Sequence, residues 1–254
     1  MGIYSFIQRQ LAKAPLRRKY CCICNDNFAS FIPYKGWKNV PVLMTALDVV
    51  GSDAKQFTCP KCYSHDRERH LFLYFQKLGL ISKLHKSDIL HFAPEPEFGK
   101  IIGAQQPRRY VKCDLFPNAL DIEKVDITNI PFDSNSFDFV FANHVMEHVG
   151  EDIKALSELF RILKKGGLAI LQTPYSKKLM STWSDPGINN DFAKLNAYGQ
   201  EDHVRLYGSD IFDRFQSTGF VSRVCFHNKV LQEIDAVRFG VNIQEPFFLF
   251  EKPH

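Results

Sequence analysis

The sequence lacks any run of eighteen apolar residues. A membrane-spanning helix needs about that length, so no transmembrane segment is expected. The first residues also lack the charged lead and long apolar core of a secretory signal. Gly2 is not followed by a complete myristoylation motif, because Phe6 stands where Ser or Thr is required. These absences predict a cytoplasmic protein.

A strong excess of one charge is also missing. The chain of 254 residues has a formal net charge of +4, with 45% hydrophobic and 24% charged residues. Such values are typical of a soluble globular protein and do not by themselves indicate a nucleic-acid partner. The length allows one large domain and a small additional one.

Acidic residues are absent from residues 1–20. Ile3, Phe6, Ile7 and Leu11 follow helical spacing in this segment, and several cations lie among and after them. The segment is therefore expected to form a basic amphipathic helix. Such a helix either packs on its own domain or lies on an acidic surface such as a membrane or nucleic acid.

Four of the seven cysteines form two C-x-x-C pairs, Cys21 with Cys24 and Cys59 with Cys62. Without an export signal, such pairs indicate metal ligands rather than disulfides. Four thiolates close a tetrahedral structural zinc site and leave no position open for chemistry. Residues 21–64 are therefore expected to form a subdomain similar to a zinc ribbon, with Cys22 as an alternative ligand.

Residues 65–86 are expected to form a linking helix with Ser64 as its N-cap, and residues 87–254 the main domain. There, short apolar runs alternate with helical patterns, which predicts a doubly wound α/β sheet. The predicted strands are Ile89–Phe92, Tyr110–Cys113, Glu123–Asp126, Phe137–Phe141, Leu168–Gln172, Phe220–Cys225 and Pro246–Phe250. Helices are predicted over Asp152–Leu163 and Ser209–Ser217.

The turn after the first strand lacks the glycines that bind a pyrophosphate. Pro94 and Pro96 have no N–H to offer, and Glu95 adds negative charge. Asp114 ends the second strand, and its spacing along the sequence from the first strand is typical of an acid that binds a ribose diol. Asp126 ends the third strand. The combination disfavours NAD, FAD or ATP and favours S-adenosylmethionine, a cationic nucleoside without phosphate.

Three segments resemble the class I S-adenosylmethionine-dependent methyltransferases, especially the subgroup that acts on small molecules and lipids. They are V-D-I-T-N-I-P-F, S-F-D-F-V-F-A-N-H-V-M-E-H-V and L-F-R-I-L-K-K-G-G-L-A-I-L-Q-T-P, and the similarity covers about residues 87–227. The resemblance implies a Rossmann-like sheet of seven strands whose last strand is antiparallel. It also places Gly166 and Gly167 in the turn into the fifth strand.

The resemblance implies cofactor contacts at the ends of the strands. Asp114 and the adjacent Leu115 would hold the ribose, and Asp126 and Ile127 the adenine. Asn143 and the adjacent His144 would line the methionine part of the cofactor.

The first motif departs from the family pattern. His91 stands in place of the usual acid, and Ala93 and Glu95 stand where glycines are usual. The hypothesis is that Glu95 compensates by binding the cofactor's ammonium group.

The segment His144-Val-Met-Glu147-His148 also matches H-x-x-E-H, a zinc-peptidase pattern. In that alternative, His144 and His148 would hold zinc on one helix face, with Glu147 as the base. The segment follows an apolar strand directly, however, which predicts that it begins in a loop.

Methyl transfer requires alignment of the acceptor and, for a hydroxyl acceptor, a base. His148 and His203 are the candidate catalytic residues. Arg205 and Tyr207 alternate with His203 and are candidate substrate-binding residues, as is Tyr175. Tyr175 lies in a polar and aromatic insertion, residues 174–200, whose length is typical of lids and acceptor loops.

The sequence is compatible with three functions. The chain is a small-molecule or glycan O- or N-methyltransferase with a structural zinc, an RNA methyltransferase whose zinc ribbon grips nucleic acid, or a binding protein on a degenerate methyltransferase fold. The first is favoured, because the basic residues are not interleaved with aromatic residues as in RNA-binding surfaces.

Overall fold

The computed structural model describes residues 10–13, 18–36 and 39–254. In chain order the strands are β1 (Lys19–Cys21), β2 (Asp26–Phe28), β3 (Val49–Val50), β4 (Asp88–Phe92), β5 (Arg109–Asp114), β6 (Glu123–Lys124), β7 (Phe137–Ala142), β8 (Leu163–Ile170), β9 (Tyr175–Ser176), β10 (Val221–Ser222) and β11 (Leu249–Glu251). The helices are α1 (Val42–Ala46), α2 (Asp66–Lys77), α3 (Leu80–Lys83), α4 (Pro96–Ala104), α5 (Asp152–Ile162), α6 (Asp191–Tyr198), α7 (Ile211–Gln216), α8 (His227–Val230) and α9 (Ala236–Phe239).

The main sheet has seven strands in the order β10-β11-β8-β7-β4-β5-β6. Strands β8, β7, β4, β5 and β6 pair in parallel, whereas β11 is antiparallel to both β8 and β10. The order confirms the predicted Rossmann-like fold and its antiparallel last strand. Because β4 and β7 are adjacent central strands, their carboxyl ends meet at the middle of one sheet edge.

One strand of the sheet starts earlier than predicted. The predicted strand Leu168–Gln172 begins earlier, at Leu163, so Gly166 and Gly167 lie within β8 rather than in a turn before it. The pairing of β7 with β8 shifts register between Phe137 and Phe139, and Gly166 has a positive φ of +74°. A bulge therefore carries the two glycines inside the strand.

Apolar side chains cover both faces of the sheet, as expected for parallel strands buried between helices. On one face, Leu90 of β4 belongs to the core that includes Leu156 of α5 and Phe215 of α7. On the other face, Ile89 belongs to the core that includes Phe75 of α2 and Phe98 of α4. The alternation of neighbouring strand residues between faces fixes the register of β4.

Helix α2 begins one residue later than the predicted cap implies. Its N-cap is His65, whose backbone N–H donates to Glu68, three residues into the helix. Ser64 instead lies beside the cysteine cluster, where its hydroxyl contacts the Cys62 sulfur at 3.2 Å. The correction follows from the bond between the His65 N–H and the Glu68 carboxylate, which satisfies the backbone donor at the start of the helix.

The N-terminal part consists of a hairpin and of a following segment that packs on the sheet domain at two places. Strands β1 and β2 form a hairpin that carries Cys21 and Cys24 near its turn. Further along, β3 pairs antiparallel with β9, which belongs to the insertion after β8. Helix α1 packs against α6 through Met44 and Tyr198. Residues 40–50 and the insertion thus form one layer over the sheet edge.

Most of the predicted basic helix, residues 1–20, lies outside the described residues. Within the described part of the chain, no helix combines the length and apolarity that spanning a bilayer would require.

Candidate functional site

A cavity of about 600 Å³ opens at the carboxyl ends of β4, β5 and β6. Its walls include seven of the residues singled out in the sequence, namely Ala93, Asp114, Leu115, Asp126, Ile127, His144 and His148. We call it the cofactor cavity. Phe116, whose side chain is largely exposed, also lines it and offers an aromatic face.

The two aspartates of the cofactor cavity close the turns that follow their strands. Asp114 accepts a hydrogen bond from the Phe116 N–H at 2.8 Å, and Asp126 accepts from the N–H and hydroxyl of Thr128, both at 2.8 Å. The bonds from Thr128 lower the pKa of Asp126. In each aspartate the bonding oxygen is Oδ1. Both carboxylates are thus held in place at the cavity wall.

The turn after β4 is stabilised by a network around Glu95. Its carboxylate accepts a hydrogen bond from Asn143 Nδ2 at 3.0 Å and contacts His91 Nε2 at 2.8 Å. His91 Nδ1 lies 2.9 Å from the Tyr110 hydroxyl. Burial alone would raise the pKa of Glu95, but the bonds from His91 and Asn143 outweigh it and lower that pKa.

The network lies behind the cavity wall rather than in it. Ala93 forms the wall itself and adopts a left-handed φ of 46°, a conformation that favours glycine. Its N–H donates to the Cys113 carbonyl at 2.8 Å, which ties the turn to β5. His91, Glu95 and Asn143 therefore hold the shape of the turn that Ala93 presents to the cavity.

A second cavity, of about 440 Å³, lies beside the first. We call it the acceptor cavity. Its walls come from the N-terminal part, from α2, from the turn after β7, from the insertion and from the segment that follows the insertion. The lining residues are Val40, Met44, Thr45, Asp48, Val49, Gly51, Ser52, Arg67, His144, Pro174, Tyr198, Gly199, Gln200 and His203. His144 lines both cavities.

Three histidines and one glutamate form the wall between the cavities. The rings of His148 and His203 meet edge to face with centroids 4.7 Å apart, and His144 Nδ1 lies 3.4 Å from Glu147. Burial raises the pKa of Glu147 to about 8, lowers that of His203 to about 4 and lowers that of His144 well below its usual value. His203 and His144 are therefore neutral near pH 7, as is most of Glu147.

The H-x-x-E-H segment does not form the helix that the peptidase alternative requires. His144 has a left-handed φ of 53°, and only Met146–His148 form a short 3₁₀ helix. His144 and His148 therefore do not share one face of an α-helix. The sequence had predicted this, because the segment follows the end of β7 directly.

The candidate substrate-binding residues occupy the core instead. Arg205 pairs with Asp152 at 2.6 Å and donates to the carbonyls of Val149 and Gly150, both at 2.7 Å. Tyr207 is fully buried and also donates to Asp152, at 2.9 Å. Tyr175 packs in the same core. The expectation that these side chains follow His203 into a site is corrected, because Asp152 draws Arg205 and Tyr207 toward α5.

The four cysteines of the two pairs converge. Their sulfur atoms all lie within 4.8 Å of one another, with Cys21 to Cys62 at 3.7 Å and Cys24 to Cys59 at 3.8 Å. Zinc–sulfur bonds of about 2.3 Å place tetrahedral sulfurs about 3.8 Å apart, so the cluster fits a zinc ion. Cys22 contacts the Arg69 carbonyl and is not part of the cluster.

Asp48 and the other lining residues of the segment 40–52 were not singled out from the sequence, yet they line the acceptor cavity. Arg67 lines it as well, and its place in the first turn of a helix, where the helix dipole disfavours a cation, had been a weak hint that it faces a ligand or a carboxylate. Nothing in the sequence indicated that β3 would pair with β9 and bring residues 40–52 to the sheet edge.

A family model described as a methyltransferase domain matches residues 87–171. A demethylmenaquinone methyltransferase of Staphylococcus epidermidis is 42% identical over 90 residues, which are 33% of this chain and 37% of that protein. A probable S-adenosylmethionine-dependent methyltransferase of Mycolicibacterium smegmatis is 28% identical over 127 residues, 50% of this chain and 46% of that protein. The matches thus span less than half the length of these two relatives.

Among solved structures, phosphoethanolamine N-methyltransferase 2 of Haemonchus contortus, in complex with phosphomonomethylethanolamine and S-adenosylhomocysteine, superposes with a TM-score of 0.47. Its identity is 16%, and the superposition covers 74% of this chain and 58% of that one.

Proposed function

We propose that this chain, whose residues 87–171 match a methyltransferase domain, is a class I methyltransferase that moves a methyl group from S-adenosylmethionine to an oxygen or nitrogen of a small molecule or glycan. The observation that carries the proposal is the pair of adjacent cavities that share His144. One cavity suits the methyl donor and the other suits an acceptor.

The cofactor cavity supports S-adenosylmethionine through its polar groups. Asp114, Asp126 and Ile127 line this cavity. In the proposal Asp114 accepts hydrogen bonds from the ribose hydroxyls, and Asp126 and Ile127 contact the adenine. Pro94 and Pro96 remove N–H donors from the first turn, and Pro96 opens α4. A pyrophosphate would bind poorly at this helix start, because it is anionic and needs N–H donors. The sulfonium and ammonium groups of S-adenosylmethionine are positively charged, so the nearby Glu95 does not repel them.

The acceptor cavity supports a small, polar acceptor. Its volume is within the range of small-molecule sites, and its lining combines a cation, a carboxylate and two histidines with apolar side chains. Methyl transfer is an in-line displacement, so the acceptor atom has to approach the methyl carbon from the side opposite the sulfur. The wall at His144, His148 and His203 is where the two cavities meet.

In this proposal His148 and His203 are the catalytic residues. His203 lines the acceptor cavity and His148 lines the cofactor cavity, and their rings are in contact. A neutral imidazole beside a hydroxyl or amine accepts its hydrogen bond and directs a lone pair toward the methyl group.

The four-cysteine cluster is proposed to hold a structural zinc. Closed sites of this kind contribute folding energy and carry no open position for an acceptor. No residue of the cluster borders either cavity wall described above. Zinc at this position would therefore stabilise the N-terminal part without entering the reaction.

Calorimetric titration with S-adenosylmethionine tests the proposal. We expect the wild-type chain to bind the cofactor and Asp114→Asn to bind it about tenfold more weakly, a loss of about 1.4 kcal/mol. Asp121→Asn is the matched control, because Asp121 is exposed and pairs with Lys112. A wild-type chain that does not bind would leave only a non-catalytic role. Equal binding by Asp114→Asn would remove Asp114 from the ribose site.

The RNA alternative is tested separately by binding at several salt concentrations. Contacts to phosphates release counterions, so affinity for RNA would fall steeply with salt. A steep fall would favour the RNA alternative over a small acceptor.

A further inference from the structure

We propose that Glu147, His148 and His203 bind a divalent metal ion in the wall between the two cavities, where the ion holds a hydroxyl group of the acceptor. This inference rests on the proposed methyl transfer and makes its acceptor class more specific. In the metal-bound form the ion, rather than the lone pair of His203, contacts the acceptor hydroxyl. It concerns a second site, separate from the four cysteines.

The three side chains already form a cage. Each offers one ligand atom, and these atoms lie within 4.8 Å of one another. Bonds of about 2.1 Å to nitrogen and oxygen place ligand atoms about 3–4 Å apart, so small side-chain rotations close the cage around an ion. The Val204 N–H donates to the Glu147 carbonyl at 3.0 Å, which ties the two chain segments together beside the cage.

Two of the ligand groups have a buried polar atom without a hydrogen-bond partner in the described part of the chain. Glu147 is 1% exposed and His203 is 4% exposed. Glu147 Oε2 and His203 Nε2 have no hydrogen-bond partner within the described part of the chain. Orphaned polar atoms are costly in a protein interior, and two of them in one cage indicate a ligand that pairs with both.

Both histidines are anchored through their other nitrogen. His203 Nδ1 lies 2.9 Å from the Tyr198 carbonyl, which only accepts, so Nδ1 carries the proton and Nε2 keeps its lone pair. His148 Nδ1 lies 3.2 Å from Asp202. Metal-binding histidines are usually oriented in this way, by a carbonyl or carboxylate on the nitrogen that does not bind the metal.

The donor set defines the chemistry. Two imidazoles and one carboxylate suit a first-row divalent ion and leave coordination positions open, unlike four thiolates. An acceptor hydroxyl bound at an open position loses its proton to solvent water more readily. Its oxygen then forms the bond to the methyl carbon as the carbon–sulfur bond breaks. The products are a methyl ether and S-adenosylhomocysteine, with no change in oxidation state.

Titration with Mn²⁺ alone, followed by the paramagnetic resonance of free Mn²⁺, tests the site. Mn²⁺ prefers oxygen and imidazole ligands, so the cysteine cluster does not compete for it. We expect one Mn²⁺ per chain, and at least tenfold weaker binding by Glu147→Gln and by His203→Gln. Glu201→Gln is the matched control, because Glu201 is exposed and close by in sequence, and it should bind like wild type.

Equal Mn²⁺ binding by wild type and Glu147→Gln, or none by wild type, would overturn the metal site. Glu147→Asp keeps the charge and should bind with intermediate affinity, which separates ligand loss from misfolding. Titration of the same samples with S-adenosylmethionine reports on the cofactor cavity independently. Cofactor binding without Mn²⁺ binding would defeat this inference alone, whereas Mn²⁺ binding without cofactor binding would defeat the proposed function alone.

Discussion

Glu95 shows how a single side chain compensates for a turn without glycine. Its carboxylate joins the Asn143 amide and the His91 ring, so three elements of the sheet edge are held together behind Ala93. Only part of this was predictable. The sequence showed that glycines were missing and that Glu95 stood in their place, but the pairing with His91 depends on a side chain that points back under the turn.

Replacement of Glu95 by Gln tests whether its charge serves the cofactor. The amide has nearly the same shape and continues to accept from Asn143, while His91 adjusts by changing tautomer. We therefore expect little change in thermal stability but about tenfold weaker binding of S-adenosylmethionine, about 1.4 kcal/mol, because the negative charge behind the cavity wall no longer attracts the cofactor's ammonium.

Glu97→Gln is the control for this change. Glu97 lies in the same turn and pairs with the exposed Lys100, so calorimetry should show cofactor binding equal to wild type. If Glu95→Gln bound S-adenosylmethionine as tightly as wild type, the role of Glu95 would be limited to stabilising the turn.

At the scale of elements, the insertion after β8 shapes the acceptor cavity. Helix α6 packs on α1, and its last residue, Tyr198, supplies the carbonyl that orients His203. Gly199 ends the helix in a left-handed conformation, with a φ of +95°. A side chain at this position would meet the Met44 sulfur at 3.0 Å. The turn therefore depends on glycine both for its backbone and for the close approach of α1.

Three glycine-to-alanine changes separate these two effects. Gly79→Ala places a side chain at a residue that already has a positive φ, and nothing lies within 4 Å of the added carbon. This change should lower the free energy of unfolding by about 1 kcal/mol. Gly199→Ala adds the Met44 contact and should cost more. Gly103→Ala lies in α4 with open space around it and should be neutral or stabilising.

Thermal unfolding of the three variants measures this order. If Gly199→Ala proved no less stable than Gly79→Ala, the packing of α1 on α6 would not be rigid. The same result would remove the argument that this packing sets the orientation of His203.

At the scale of the whole molecule, the sequence predicted the sheet but not the layer above it. The positions of the strands follow from local apolar runs that are readable along the chain, whereas the antiparallel last strand was implied by the family resemblance. The acceptor cavity depends on the pairing of Val49–Val50 with Tyr175–Ser176, more than a hundred residues apart. Two-residue strands leave no periodic signal, so Asp48 could not be assigned to a site.

The two parts of the molecule are also joined through Arg69, which is fully buried. Its guanidinium donates to the carbonyls of Gln56 and Ser64 beside the cysteine cluster, at 2.5 and 2.7 Å. It also donates to Phe239 and Gly240 of the sheet domain, at 3.1 and 2.7 Å. Charge-assisted hydrogen bonds to several carbonyls are costly to break, so the cysteine cluster and the sheet domain stabilise each other.

Loss of the proposed zinc should therefore destabilise the whole chain. We expect Cys59→Ser to lose zinc and to lower the midpoint of thermal unfolding in a single transition, since Arg69 transmits the local disorder to Gly240. Calorimetry and metal analysis measure both quantities. Cys225→Ser is the control, because Cys225 lies outside the cluster, and it should keep one zinc and the wild-type midpoint. Two separate transitions in Cys59→Ser, with the second at the wild-type temperature, would show that the cysteine cluster folds independently of the seven-stranded sheet.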